Sequence, residues 1–227
     1  MIKIFGLAVV VVLLGFGFIV AGLYLQVPRY KHYWLKRAAK APESNALIYV
    51  AMGDSTAQGI GASNTEKGYV GLVADALEQK HRRPVHVINI SKSGETVAGC
   101  LQEQVPQLRA LKPDIVTIEI GANDMSTFDE TTFRRSMGEL MSQVPKQTVI
   151  SDIPYLGGSR KKDLEPHAEA ASSIIHELAA THGLSVAPLH QVTKAKDSWR
   201  VYAVDYFHPS NTGYKNWFAA FWQILDS

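Results

Sequence analysis

The 227-residue sequence contains a single cysteine, Cys100. An intramolecular disulfide is therefore excluded, and cysteine usage does not assign a redox compartment. Residues 1–40 contain no acid at all. They hold six of the 23 Lys/Arg (Lys3, Arg29, Lys31, Lys36, Arg37 and Lys40), leaving 17 against 21 Asp/Glu in the remainder, a formal charge of −4. A mildly acidic body lacks the clustered Lys and Arg that phosphate contacts need, which argues against a nucleic-acid partner. Internal repeats are missing, and so is low complexity outside one apolar run.

That run, Ile4 to Leu25, carries no charge. As a helix it spans about 33 Å, enough for a bilayer hydrocarbon core of about 30 Å. Residues 1–27 are therefore expected to form an N-terminal transmembrane anchor. A cleavable signal segment is the alternative, but its apolar core is usually about 7–15 residues, and Leu23-Tyr24-Leu25-Gln26-Val27-Pro28 makes a poor cleavage site. Basic residues follow, beside Tyr30, Tyr33 and Trp34, a mixture suited to a membrane interface. Residues 28–45 are accordingly expected to be a basic juxtamembrane linker, and the protein a single-pass membrane one. The basic cluster points to a cytoplasmic-facing domain, whereas the signal-like N-terminus points to an exported one. Oligomeric state has no signal in the sequence.

From residue 46 to 227 the pattern is that of one domain. Strand-like runs (Ala46–Met52, Val85–Ile90, Ile115–Ile120, Thr148–Ile153, Leu184–Ala187) alternate with helical ones. Tyr69–His81 has helical spacing at Val70, Val73, Ala74 and Leu77, and Thr131–Val144 at Phe133, Met137, Leu140 and Met141. Val97–Leu111 is helical, with Pro106 expected to kink or divide it. Leu164–His182 and Tyr214–Leu225 complete the helices. This alternation predicts an α/β fold: a flavodoxin-like three-layer α/β/α arrangement with a parallel sheet of about five strands. Ligands of such sheets bind beyond the carboxyl ends of the strands.

The residues after each strand carry the chemistry. The first strand ends in Gly53-Asp54-Ser55, the second is followed by Ser91-Lys92-Ser93-Gly94, and the third by Gly121-Ala122-Asn123-Asp124. A hydroxyl, a loop glycine and a side-chain amide thus converge on one rim. Near the chain end, Asp205-Tyr206-Phe207-His208 puts an acid and an imidazole three residues apart, close enough to share a hydrogen bond.

These four segments, in this order, resemble the SGNH (GDSL) serine hydrolase family over about residues 46–225, and the likeness continues through Pro209-Ser210-Asn211-Thr212-Gly213-Tyr214. The resemblance implies a carboxylic ester hydrolase with a catalytic triad of Ser55, His208 and Asp205. It implies an oxyanion hole formed by the Ser55 N–H, the Gly94 N–H and the Asn123 side chain. No metal and no organic cofactor are implied. The substrate would be a lysophospholipid, a short acyl ester or an O-acetylated glycan. The competing function is a catalytically inactive carbohydrate- or lipid-binding module on the same fold. Asp205 is preferred to Asp54 as the acid behind His208, because it is local to it; Asp54 is expected to serve the turn. Every catalytic candidate lies at or beyond Ser55, so the N-terminal segment is expected to be dispensable for hydrolysis of soluble esters.

Other candidates read differently. His176 and His182 are six apart, whereas a zinc helix needs histidines four apart. Asn89-Ile90-Ser91 matches a glycosylation pattern but sits where a strand meets the rim. Gly157–Lys162 reads equally as a flap over the site and as a solvated connector.

Overall fold

A computed structural model of the protein describes residues 22–227. Most of the expected anchor, residues 1–21, lies outside the described residues. No helix among the described residues is long and apolar enough to cross a membrane.

Among the described residues, five parallel strands form one sheet: β1 (Leu47–Gly53), β2 (Val85–Asn89), β3 (Ile115–Glu119), β4 (Thr148–Ser151) and β5 (Ser185–Ala187), in the order β2-β1-β3-β4-β5. The chain crosses from one side of β1 to the other between β2 and β3. This is the switch point where open α/β sheets bind ligands. Alternate residues of β1 enter different cores, as a period of two requires. Val50 and Met52 pack under the helix over residues 97–109 and under Glu130–Ser142 and Glu165–His182. Tyr49 and Ala51 pack under Tyr69–His81 and Asn211–Leu225. On that second face Phe221 stacks on Tyr69 with ring centroids 4.8 Å apart.

Two helices depart from expectation. Pro106 does not divide its helix. Instead Cys100–Gln104 opens into a π turn in which the Val105 N–H donates to Cys100 O, five residues back, and the helix continues through Val105–Arg109. The wider turn accommodates a residue that cannot donate a hydrogen bond. The last helix starts earlier than its apolar pattern, at Asn211, because the Ser210 hydroxyl accepts the Thr212 and Gly213 N–H groups. A further short helix, Leu189–Ala195, has no clear pattern of its own.

The expected linker over residues 28–45 is corrected. Residues 22–38 are one helix, docked on the domain. Its stripe of Leu23, Val27, Tyr30 and Trp34 has the 4-3-4 spacing of a helical face. Tyr30 and Trp34 are each only 2 % exposed. The Tyr30 hydroxyl donates to Ala62 O (2.8 Å) and the Trp34 indole N–H to Gln58 O (3.0 Å). Arg37 pairs with Glu66 at 3.0 Å. The aromatics read as interfacial thus fill the domain's own surface. Arg29, Lys31 and Lys36 lie exposed, off the docked stripe.

Candidate active site

β1 ends where Gly53 turns the chain with φ +140°, and a Cβ there would stand 2.1 Å from Glu119 O on β3. Only glycine fits so close to a neighbouring strand. Gln104, from the π turn, clamps this residue from both sides: its amide oxygen accepts the Gly53 N–H (2.9 Å) and its amide nitrogen donates to Gly53 O (2.8 Å). The helical turn Ser55–Gln58 follows. Asp54 caps it, its Oδ1 accepting the Thr56 N–H (2.9 Å) and hydroxyl (3.0 Å). The turn expected of Asp54 is therefore present.

Asp205 and His208 sit on a tight turn whose second residue, Tyr206, takes φ +53°. Asp205 Oδ1 accepts the N–H groups of Phe207 and His208, both at 3.1 Å, so the carboxylate is fixed by its own turn. Its Oδ2 lies 2.6 Å from His208 Nδ1, and His208 Nε2 lies 3.0 Å from Ser55 Oγ. Burial would raise the Asp205 pKa, but the His208 ring and the two N–H donors outweigh it and hold the carboxyl below its ordinary value. An ionised Asp205 assigns the proton to Nδ1, leaving Nε2 to accept from the Ser55 hydroxyl. Cys100, the single cysteine, is buried away from solvent, and burial pushes its thiol up.

Gly94 and Asn123 complete the expected set, and both line the same cleft as Ser55 and His208. Gly94 takes φ +80° with open space where a Cβ would be. Among the described residues, no acceptor takes the N–H of Gly94 or of Ser55. Asn123 differs from a free donor. Its amide nitrogen donates to Asp54 Oδ2 and to Glu95 O, each at 2.9 Å, so both protons have partners.

Beneath the nucleophile, Asp54 and Glu119 are a fully buried carboxyl pair. Burial raises both, and the Asp54 charge pushes Glu119 well above the carboxylate range, while hydrogen bonds from Thr56 and the field of His208 restrain Asp54. Asp54 is the member with donors close at hand, from Thr56 and Asn123. Asp124 accepts the Val97 N–H (3.1 Å), and its burial raises it to about 6.

Several lining residues had no place in the expected site: Leu23, Tyr24 and Val27 from helix 22–38, with Phe207; Arg160 and Lys161, from the loop read as a flap or a connector, line it too. The 4-3-4 stripe was the available signal for the first group. The Gly157–Lys162 loop, read equally as a flap and as a connector, reaches the cleft through Arg160 and Lys161 and is tied there: the Arg160 N–H donates to Tyr206 O (2.8 Å), and Ser159 Oγ to Leu156 O (2.8 Å). Asn89, in the glycosylation pattern, is buried and donates to Ala57 O. His176 pairs with Asp152 at 2.9 Å. Glu165, Glu169 and His190 cluster elsewhere with metal-ligand chemistry. They have protein partners: Glu165 accepts from Leu156 and Gly157, and Glu169 from Lys194.

Comparison with known proteins places the chain in a family. A sequence model of the GDSL-like lipase/acylhydrolase family matches residues 51–215. An arylesterase of Vibrio mimicus is 37 % identical over 92 residues, 40 % of this chain and 43 % of that protein, so the match spans less than half of that relative. A lipase/acylhydrolase from Enterococcus faecalis superposes with a TM-score of 0.67 at 23 % identity, covering 79 % of this chain and 94 % of its own. An acetyl xylan esterase variant from Geobacillus stearothermophilus gives 0.65 at 18 %, covering 80 % and 95 %. At these identities the two structures establish the shared fold.

Proposed function

The chain belongs to the GDSL-like lipase/acylhydrolase family, and from that premise we propose that it is a serine esterase acting on carboxylic esters through Ser55, His208 and Asp205. One observation carries the reading: Ser55 Oγ, His208 and Asp205 form a continuous hydrogen-bonded relay of 3.0 and 2.6 Å at the switch point of the sheet. Ser55 Oγ attacks the ester carbonyl while His208 Nε2 takes its proton. Asp205 holds the ring and stabilises the imidazolium. The oxyanion is met by the N–H groups of Ser55 and Gly94 and by Asn123, whose amide exchanges its bond to Glu95 O or shares it. His208 returns the proton to the departing alcohol. Water, deprotonated by the same ring, then releases the acid from Ser55.

Lysophospholipid, short acyl ester and O-acetylated glycan are the proposed substrate classes; the acylhydrolase and acetyl xylan esterase folds support the breadth of that range. We also propose, from the uncharged sequence over residues 4–21 that precedes the docked helix, that the full chain is held at a membrane by a single N-terminal span. A fluorophosphonate probe tests the nucleophile. It is expected to label Ser55, identified by peptide mass, and Ser55→Ala is expected to lose both label and hydrolysis. A Ser55→Ala chain that keeps more than a few per cent of activity would assign the nucleophile elsewhere.

A further inference from the structure

The cleft over Ser55 has a volume of about 290 Å³, near the small end of ligand sites. One wall is the start of helix 22–38. Leu23 and Val27 fall on one face of the helix, one turn apart, and Leu23 packs with Ile60 in a small apolar cluster that Val27 flanks. Leu23 and Tyr24 are also among the last residues of the uncharged run. Helix and site are joined directly: Gln26 accepts the Gly61 N–H (2.8 Å) and donates to Ala62 O (3.2 Å), on the loop that follows Ser55–Gln58. The wall is thus held in register with the serine.

The cleft is also lined by two cations. Lys161 Nζ lies 4.2 Å and the Arg160 guanidinium carbon 5.7 Å from the centre of the Phe207 ring, next to His208. Among the described residues neither forms an ion pair. Their backbone is tied to Tyr206 O and Ser159 Oγ, so both are held at the cleft. Lys161 is half-buried and Arg160 exposed, and with only the Phe207 ring beside them both are free to meet an anionic group on the molecule that enters.

We propose that Leu23 and Val27 of the N-terminal helix, with Arg160 and Lys161, are the specificity determinants of this site, selecting an ester that carries both an apolar chain and an anionic group. The proposal rests on the esterase reading above. The chain lies along Leu23, Val27 and Ile60, and the anion meets Arg160 and Lys161.

The test uses the full chain and two matched substrate pairs. One pair puts the charge on the alcohol: an acyl ester of para-hydroxybenzoate against the same ester of methyl para-hydroxybenzoate. The other puts it on the acid: para-nitrophenyl hemiglutarate against para-nitrophenyl butyrate. The double variant Arg160→Ala, Lys161→Ala is expected to lower the anionic-to-neutral ratio of kcat/KM by about tenfold in one pair, through KM. The responding pair identifies which half of the ester bears the anion. Arg160→Lys, with Lys161 intact, is expected to keep most of the ratio. A ratio unchanged in both pairs overturns the anionic recognition.

For the wall, Val27→Trp is expected to shift the preferred acyl length, from acetyl to dodecanoyl para-nitrophenyl esters, towards shorter chains, and Val27→Ala towards longer ones. A chain-length profile unaltered in both variants overturns the wall. Fluorophosphonate labelling is followed in every sample. An unlabelled parent chain overturns the esterase reading itself, whereas normal labelling with unmoved selectivity overturns only the specificity.

Discussion

The two sides of the cleft are built in opposite ways. The polar side is assembled from short motifs at strand ends, where each reactive group is fixed by its neighbours in sequence: Asp54 caps its own helical turn, and Asp205 is held by the N–H groups two and three residues on. The apolar side comes from helix 22–38, whose nearest candidate catalytic residue in sequence is Ser55. Its contacts are side chains inserted into someone else's loop, such as Tyr30 and Trp34 on Ala62 and Gln58. Chemistry that must be exact to tenths of an ångström is encoded locally. Shape and selectivity are left to a distant segment, where packing tolerates variation.

The largest effect that would sharpen this contrast belongs to Asn123. Asn123→Ala is expected to lower kcat by about 10²–10³ with KM little changed, since an oxyanion donor acts mainly in the transition state. Steady-state kinetics on a soluble para-nitrophenyl ester read it. A change confined to KM would leave Asn123 as a brace between Asp54 and Glu95 O and would remove it from the polar side.

Trp34→Ala should act in the other currency. Emptying a site that is 2 % exposed, and orphaning Gln58 O, is expected to cost about 3–5 kcal/mol. That lowers the melting temperature by roughly 10 °C for a domain of this size. Activity of the folded fraction should change by less than about tenfold. The earlier expectation that hydrolysis survives without the N-terminal segment is replaced by this one. A chain starting at Ala41 that melts at the parent's temperature would dissolve the comparison, because helix 22–38 would then be an appendage.

The smallest effect concerns Asp124, which lies beside the polar side. Its folded carboxyl is raised from an ordinary value near 3.8 to about 6, chiefly by burial. Between those values the folded state holds the proton more tightly than the unfolded state. Stability from this group is therefore complete below about 4 and declines as pH rises to about 6. Asp124→Asn removes the titration and keeps an oxygen for the Val97 N–H. The variant's melting temperature relative to the parent should rise from pH 4 to pH 6.5 and then level off. A difference independent of pH would show that Asp124 is solvated and ordinary.

Much of the fold was legible because strands buried on both faces read as short apolar runs, as β1 and β3 do, while a helix buried on one face shows helical spacing, as Tyr69–His81 does. The π turn was not. Pro106 announces an interruption, but an α-helix can kink, end or widen at proline. Here it widens, and Gln104 of the wide turn reaches the backbone of Gly53, a contact between segments far apart in sequence. Helix 22–38 was misread for a related reason. Tyr, Trp, Lys and Arg beside an apolar run suit a membrane interface and a domain surface equally well, since both reward an apolar body with a polar tip.

What the sequence alone determined was the set of candidate residues and their order along the chain. A glycine that cannot carry a Cβ, a capping acid before a serine, and an acid three residues ahead of a histidine impose their geometry through adjacent backbone. What only the tertiary structure decided was which groups face one another across distance. Asn123 holding Asp54, the Asp54 charge acting on Glu119, and Leu23, Val27, Arg160 and Lys161 meeting over Ser55 all depend on segments far apart in sequence, and the packing of the sheet's two faces brings them together.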